Sequence, residues 1–530
     1  MKTRDHILKP FSIACVSLLA LGSGVAPKAD ASQPQVQAVL DSLEHKLTWL
    51  DYRIGLEEWD SLTTGESDSL EFFRNLYLEV LGDGETYQAL RNRRSALESD
   101  FDQRRYDLLY PLLVRTQINL STTVRQVYDS LADFYSRPWC RLDGRTISIE
   151  EARHLSATAR RGVDRETAYR AMSDPGELTR QLAARLYRLR NQAARRMGYN
   201  DYFSLSAGLV NVEVEEYRHF IDQVDSLTRR EYERTLRDLR ASMSGDEFEV
   251  WDWVDRFRNV REEIDPLLPA DGQVTLLDTS LEGLGFDLDN MPIYWRISPE
   301  PADAADTRVI TVDAPHDIRL VVTLAGGFTG YQELVRAVGD AVNSAESARD
   351  SELLARQVHP VWTCAVARLF ELFTLDPDWL GQSVGAPPGL QTRVIRAAHA
   401  IELLHLRLLL TDARFEYEAY RNADRNLNSL YWDLFVQYTG LPRHDDLAPW
   451  AANPDFLSRP LDAYYRLLGR CVAAQNLAYL LNHYGRIHGQ TEVGSFLVHN
   501  YLRHGARYEW RDLLERATGE PLSIRYLISR

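Results

Sequence analysis

The spacing of apolar and polar residues divides this chain into a long helical part, a short strand-rich part and a second helical part. From Pro34 to Ser244, apolar residues recur at intervals of three and four with Arg and Glu between them, as in the stretch from Glu177 to Arg196. This spacing predicts a series of amphipathic helices. Glycine and proline clusters punctuate the series without the long polar stretches that separate domains.

Between Val274 and Leu324 the pattern changes to short runs of β-branched and aromatic residues bounded by turn residues. The runs at 292–297, 308–312 and 318–323 predict three strands of a small sheet. After Gly330 the helical spacing returns and continues to the end of the chain, apart from a turn at 381–389 and a loop at 440–454. The sequence therefore predicts a mainly α fold with one small sheet.

The first 31 residues have the pattern of a secretory signal peptide. Basic residues are followed by an apolar run from Phe11 to Ala20, and small residues lead to Ala29-Asp30-Ala31, an A-x-A cleavage site. The run is too short to span a membrane, and Cys15 lacks the preceding residues of a lipoprotein signal. We expect a mature chain of residues 32–530 in the periplasm or outside the cell.

Charge and cysteine content limit the possible partners. The first 31 residues hold four basic and two acidic side chains, so a chain starting at Ser32 carries a formal charge of −18 rather than −16. Such an acidic protein is not expected to bind nucleic acid or an anionic membrane surface by its overall charge. Cys140, Cys364 and Cys471 allow at most one internal disulfide, and the sequence does not choose the pair.

Several common catalytic motifs are absent from the sequence. It contains neither a Walker-type phosphate loop nor a Gly-x-Ser-x-Gly elbow, so phosphoryl transfer and serine hydrolysis have no support. His399, Glu402 and His405 are spaced three apart, and at most adjacent pairs share a helix face. We interpret them as core or pocket-lining residues.

Stretches distributed along the chain resemble the angiotensin-converting-enzyme-like zinc peptidases, the M2 family, which is related in fold to the M3 thimet-type oligopeptidases. The matching stretches are 198–203, 317–320, 331–335, 359–371, 414–417, 424–434 and 516–522. The resemblance implies a zincin-like fold with two helical lobes around a long cleft and the small sheet beside it. It also implies a single domain over residues 32–530, with substrate contacts near the sheet.

The zinc-binding residues of that family are missing here. Its His-Glu-x-x-His helix corresponds to residues 336–340, where the two ligand positions hold Arg336 and Asp340 and the general base is replaced by Ala337. The third ligand position holds Cys364, and an acidic residue that orients a zinc-bound His is replaced by Arg368. Arginine has no lone pair for a metal, and alanine provides no base. We therefore expect no catalytic residues and no zinc.

Three interpretations of the altered motif helix stay open. In the first, Arg336 and Asp340 form an ion pair on a solvated helix face. In the second, the two residues are partly buried and line the old cleft, with Arg336 in the volume that the metal would occupy. In the third, Asp340 and Cys364, with or without His359, form a relocated metal site. The family also uses a His and a Tyr to hold the substrate carbonyl. Tyr464 and Tyr465 are the candidates for that Tyr and for substrate binding.

The resulting functional hypothesis is an exported, non-catalytic homologue of a peptidyl-dipeptidase that binds peptides or a protein partner through the former active-site cleft. One alternative is an active peptidase with an unconventional metal site. Another is a structural interaction protein whose cleft has closed. No membrane span is expected, and the sequence does not indicate the oligomeric state.

Overall fold

The computed structural model describes residues 33–67, 69–241, 248–298 and 307–528. The predicted signal peptide therefore lies outside the described residues. Helices dominate the described chain, as predicted. Their bounds are α1 Gln33–Thr64, α2 Leu70–Gly82, α3 Gly84–Leu90, α4 Asp100–Asn119, α5 Thr122–Tyr135, α6 Ile149–Thr158, α7 Gly162–Ser173, α8 Glu177–Arg196, α9 Tyr202–Gly208, α10 Val214–Ala241, α11 Arg258–Ile264, α12 Gln273–Glu282, α13 Gly327–Ala345, α14 Glu352–Arg356, α15 Pro360–Phe373, α16 Pro377–Gln382, α17 Pro388–Arg421, α18 Leu427–Thr439, α19 Pro449–Ala452, α20 Asp455–Ser458, α21 Asp462–Tyr484, α22 Thr491–Asn500 and α23 Trp510–Thr518.

Two small sheets accompany the helices. The strands are β1 Cys140–Leu142, β2 Arg145–Ile147, β3 Ile293–Ile297, β4 Arg308–Asp313 and β5 Asp317–Val322. Strand β5 is central in its sheet and pairs in parallel with β3 and antiparallel with β4. The three predicted strands are thus confirmed to within a residue or two at each end.

The β1–β2 hairpin falls in a region for which the spacing predicted only helices. Its turn consists of Asp143 and Gly144, both in the left-handed region at φ 48° and 79°. An Asp-Gly pair between short apolar runs is a strong local hairpin signal. The hairpin could therefore have been found from the sequence.

One large hydrophobic cluster contains buried residues of the first helix, the sheet and the last helices, from Val36 to Leu527. The described part of the chain consequently shares one main core, and its division into two lobes stays a prediction. No helix within the described residues is long and apolar enough to cross a membrane.

Candidate functional site

The motif helix α13 follows the sheet directly and is fixed at its start by a glycine pair. Gly326 and Gly327 have φ of 65° and 74°, which side-chain-bearing residues rarely adopt. The backbone N–H of Phe328 donates to the Asp265 carboxylate at 2.9 Å. The apolar residues of α13 are buried, from Tyr331 to Ala345. Asn343 is buried as well.

Helix α15 lies between α13 and α21, and two glycines permit the close packing. A Cβ atom added at Gly339 would lie 2.8 Å from Cγ of Phe370. A Cβ atom added at Gly469 of α21 would lie 2.6 Å from Cβ of Cys364. Both distances are too short for a side chain, so these glycines set the spacing of α13, α15 and α21.

The three motif residues on α13 differ in their surroundings. Arg336 is exposed, Ala337 is buried, and Asp340 is half-buried. One oxygen of Asp340, Oδ1, is buried and has no hydrogen-bond partner among the described residues. Burial raises the pKa of Asp340 to about 7, and the charge of Arg336 only partly opposes this shift.

The ion pair considered for Arg336 and Asp340 is not formed between these described side chains within 4 Å. The carboxyl of Asp340 instead faces the interior of the fold, close enough to Cys364 to affect its titration. Asp340 is thus partly buried, whereas its position in a former active-site cleft stays a prediction. Arg336, in contrast, is exposed and does not occupy a buried metal position.

Cys364 is a half-buried free thiol on α15. Burial raises its pKa to about 11, and the nearby carboxylate of Asp462 adds to this effect while Arg466 opposes it. The thiol is therefore protonated near neutral pH.

Arg368 is buried and neutralised by two carboxylates. It contacts Glu371 at 2.8 Å and Glu402 of α17 at 2.9 Å. Arg470 of α21 approaches the other oxygen of Glu402 at 3.4 Å. Burial disfavours the charged guanidinium, but Glu402 and Glu371 together raise the pKa of Arg368 above its usual value. The reversed charge expected at this position is present, and it is compensated locally.

Helix α17 adds further polar residues to the same region. His399 pairs with Glu231 at 2.9 Å, and Glu402 belongs to the arginine network described above. His405 is exposed to water although it lies deep within the fold, as expected for a residue facing a cleft. Burial and the charge of Arg470 lower the pKa of His405 to about 4, so the ring is neutral. The interpretation of this trio as core or pocket-lining residues agrees with these positions.

A small pocket lies between α17 and the start of α21. Its lining residues are Asp412, Glu416, Asn453, Asp455, Phe456, Arg459, Asp462, Ala463 and Arg466. Burial raises the pKa of Asp412 to about 7 and that of Glu416 to about 8. The side chain of Arg466 remains 48% exposed and is 3.7 Å from Asp462.

A hydrogen bond to the pocket residue Glu416 depends on an unusual backbone conformation at Leu461. Leu461 is buried with φ of 68°, a region that costs free energy for a branched residue. Its N–H donates to both carboxylate oxygens of Glu416 at 3.1 Å. This contact joins α17 to the first turn of α21. No sequence signal marks Leu461, because positive φ is rare for leucine.

The two tyrosines predicted to bind substrate are largely buried. Tyr464 packs against Tyr217 and Phe220 with ring centroids 4.6 and 5.5 Å away, and its hydroxyl has no hydrogen-bond partner among the described residues. Tyr465 packs edge-on against His359 with centroids 5.4 Å apart. The pocket-lining residues given above, all in the described chain, include neither tyrosine. Their role as substrate contacts stays a prediction.

These residues do not fit a zinc ion. A catalytic zinc site needs three protein ligands with nitrogen, sulfur or carboxylate donors. Among the described residues, no group of three or more His, Cys, Asp or Glu side chains is arranged to hold a metal. His359 caps α15, with Nδ1 accepting the N–H of Val361 at 3.2 Å, so the relocated set of Asp340, Cys364 and His359 is not assembled.

Comparisons with known proteins identify the fold and correct the family. No known protein-family profile and no curated protein matches the sequence. Many solved structures match, and two of them are similar along most of their length. One is the M32 carboxypeptidase from Deinococcus radiodurans R1, with a TM-score of 0.63, 14% identity, and coverage of 93% of this chain and 97% of that chain. The other, titled BsuCP and assigned to Bacillus, has a TM-score of 0.63, 15% identity, and the same coverage of 93% and 97%.

The resemblance to the angiotensin-converting-enzyme-like family is therefore wrong, because the structures matched are M32 carboxypeptidases, a different zincin family. The reason lies in the residues on which it rested. In the first matching stretch, Asp201 caps α9 and both Tyr202 and Phe203 are buried. Such capping and packing residues report the fold rather than the family. The predicted fold class is confirmed: this is a mainly helical, zincin-like peptidase fold with small sheets.

Proposed function

We propose that this protein is an exported, non-catalytic member of the carboxypeptidase-like structural group that binds peptides in the cleft formed by α13, α15, α17 and α21. The observation that carries the proposal is the state of the motif helix. The position of the base holds the methyl group of Ala337, and the flanking ligand positions hold an exposed arginine and a carboxyl group with a pKa of about 7.

Hydrolysis of a peptide bond by this fold requires a metal to activate water and a base to remove its proton. The described residues supply no metal-binding group of three ligands. Ala337 is chemically inert. We therefore infer that the cleft binds without cleaving.

Recognition of a peptide end is supported by the charges in the cleft. The matched structures are titled carboxypeptidase and BsuCP, and the first name implies a substrate with a free C-terminal carboxylate. In this chain Arg466 is the best candidate for that contact, because its guanidinium is half exposed and its 3.7 Å contact to Asp462 leaves donors available. The acidic residues of the same pocket suit the amide and amino groups of the peptide.

The decisive experiment measures metal, turnover and binding on the same sample. The mature protein, purified without chelators and incubated with zinc salt, should contain much less than one zinc per chain by elemental analysis. It should release no amino acid from blocked dipeptides. Stoichiometric zinc with turnover that a chelator abolishes would establish the alternative, an active peptidase with an unconventional site.

Binding is tested by calorimetry with a peptide library in two forms, with free and with amidated C-termini. Peptides with a free carboxylate should bind about ten- to a hundredfold more tightly, the effect of one charged hydrogen bond. Arg466→Gln should remove that preference. Arg425→Gln is the matched control, because Arg425 is 46% exposed and lies outside the pocket. Absence of any binder would favour a structural interaction protein.

Export rests on residues 1–31 and is tested separately. The full-length protein produced in a Gram-negative host should appear in the periplasm or the medium with Ser32 at its N-terminus, as read by terminal sequencing. Recovery of the uncleaved chain from the cytoplasm would contradict this part of the proposal.

A further inference from the structure

The two edge strands of the three-stranded sheet differ in how their backbones are protected. On β4, the carbonyls of Thr311 and Val312 accept from the guanidinium of Arg356 at 2.8 and 2.9 Å, and the register shifts between Thr311 and Asp313. A bonded side chain and an irregular register both hinder pairing with a strand of another chain. Strand β3, at the opposite edge, has neither feature within the described part of the chain.

The hydrogen bonds between β3 and β5 show which backbone groups of β3 point outwards. The N–H of Ile318 donates to the carbonyl of Pro292 at 3.0 Å, and the N–H of Ser298 donates to the carbonyl of Val322 at 2.8 Å. In a parallel pair, alternate residues bond to the same neighbouring strand. The even-numbered residues of β3 therefore pair with β5.

The odd-numbered residues Ile293, Trp295 and Ile297 consequently turn their N–H and C=O groups to the free edge. None of these backbone groups has a hydrogen-bond partner among the described residues. Unpaired backbone groups of a strand are favourable sites for pairing with a further strand. The edge of β3 is thus open along its length.

The side chains of β3 also favour a contact. Tyr294 is 53% exposed and Ile297 is 44% exposed, which is unusual for apolar side chains at a regular sheet edge. Arg296 is exposed and forms no ion pair within the described chain. Tyr294 and Arg296 lie on one face of the sheet, because side chains alternate along a strand.

The order of these residues is complementary to itself. If a second β3 runs antiparallel across a twofold axis at Trp295, Tyr294 lies opposite Arg296 of the second copy, and Ile293 lies opposite Ile297 of the second copy. The face of a tyrosine ring attracts a guanidinium group. Two β-branched side chains pack well as a cross-strand pair, and the twofold axis makes each of these contacts twice.

We propose that the partner at this edge is a second copy of the chain, paired with β3 in that antiparallel register. The three strands of each copy then form one continuous sheet across the twofold axis. The odd-numbered residues of the two β3 strands exchange N–H to C=O hydrogen bonds, and their unpaired groups are satisfied. This dimer does not depend on the function proposed for the cleft.

Analytical ultracentrifugation of the mature chain tests the dimer. At a salt concentration of about 0.15 M, which screens the repulsion between two acidic chains, the dissociation constant should lie between about 1 and 100 µM, as expected for a small interface. Ile297→Pro removes an outward N–H without breaking the ladder to β5, and it should weaken the dimer at least about tenfold. Ile297→Thr is the matched control, because it keeps that N–H and a β-branched side chain, and it should weaken the dimer less than about threefold.

Cysteine cross-linking tests the register. Directly opposite residues of a non-hydrogen-bonded pair have Cα atoms about 4.5 Å apart, whereas diagonal neighbours are about 7–8 Å apart. An equimolar mixture of Tyr294→Cys and Arg296→Cys chains should therefore form a disulfide-linked dimer on mild oxidation, and either variant alone should form at least about tenfold less. The unsubstituted chain controls for its own thiols, of which Cys140 and Cys471 are buried.

The proposal is overturned if the chain sediments as a monomer at about 0.5 mM, roughly fivefold above the weakest constant expected. That result would leave the edge of β3 to a strand of a different protein. Equal weakening of the dimer by Ile297→Pro and Ile297→Thr, or cross-linking of the mixture no better than of the single variants, would show that the two copies meet elsewhere. If Ile297→Pro does not fold, the cross-linking of the mixture decides the question.

Discussion

Two ionisable residues on neighbouring helices, Arg368 and Asp340, have very different surroundings in this fold. On α15, Arg368 contacts Glu371 and Glu402, and Arg470 shares Glu402, so the charges balance. On α13, Asp340 has a buried oxygen without a partner among the described residues, and its pKa is raised to about 7. The α15 side is a complete network, whereas the α13 side holds an acid that is easiest to bury when neutral.

The difference shows that charge is not balanced to the same degree on α13 and on α15. A buried arginine with ion-pair partners belongs to a network of compensating charges. Loss of one member leaves the remaining charges in a low-dielectric interior without compensation. A carboxyl group without a partner avoids the desolvation cost of its charged form by binding a proton. We therefore expect the two residues to respond in opposite directions to neutralisation.

The largest effect is expected for Arg368→Met. This change leaves Glu371 and Glu402 buried with only Arg470 nearby, and we expect a loss of about 3–5 kcal/mol in the free energy of unfolding, measured in urea at pH 7. The control is Arg393→Met, which breaks the exposed pair with Glu263. It should have a much smaller effect. Equal losses in the two variants would show that the network on α15 is not a special feature.

The structure also changes how metal binding should be restored. Replacing four residues, by Arg336→His, Ala337→Glu, Asp340→His and Cys364→Glu, places ligands and a base without disturbing Arg368. Zinc should then raise the free energy of unfolding by about 2.7 kcal/mol at a hundredfold excess over its dissociation constant. Calorimetry with and without a chelator measures this effect.

Adding Arg368→Asp as a fifth change gives the informative contrast. It places three carboxyl groups around Arg470, so the five-residue variant should be less stable than the four-residue variant in the absence of metal. If the four-residue variant folds but binds no zinc, the alignment of residues 336–340 with the zinc motif is wrong.

Asp340→Asn should stabilise the protein in a pH-dependent way. The pKa of Asp340 rises from its usual 3.8 in the unfolded chain to about 7 in the folded protein. Ionisation therefore favours the unfolded chain increasingly as the pH rises from about 4 to about 7, and the cost is constant above that. Asparagine removes this cost, so it should have little effect at pH 4.

At pH 8 the expected gain from Asp340→Asn is about 1–3 kcal/mol, less than the ~4 kcal/mol ceiling that the pKa difference sets, because the side chain is half-buried. The titratable neighbours are Arg336 on the same helix and, from α15, the thiol of Cys364, which is neutral at both pH values. Urea titrations at both pH values measure the difference. A gain that is the same at pH 4 and pH 8 would mean that proton binding is not its cause.

The sequence predicted the framework better than the site. Helical spacing and the three strand-like runs are local patterns, so they gave the element types correctly. The alignment of residues 336–340, Cys364 and Arg368 with a zinc site rested on the fixed spacing of a zinc motif, and it stays a prediction. The pairing of Arg368 with Glu402 was not visible, because these residues are distant in sequence and meet only through the packing of α15 against α17 and α21. The strained backbone at Leu461 and the similarity to M32 carboxypeptidases were not visible either, because both are recognised only from the tertiary structure.

The smallest effect is expected for the contact between α13 and α15, the two helices compared above. In Gly339→Ala, the new methyl group would lie 2.8 Å from Cγ of Phe370, next to the backbone of α15, so the helices must move apart. The better helix propensity of alanine, about 1 kcal/mol, offsets part of this cost, and we expect a net loss of about 1–2 kcal/mol in the free energy of unfolding. Gly389→Ala on α17 is the control, since a Cβ atom there meets nothing within 4 Å. A loss in both variants would indicate a backbone effect, whereas a loss only at Gly339 would show that α13 and α15 are held at a fixed spacing.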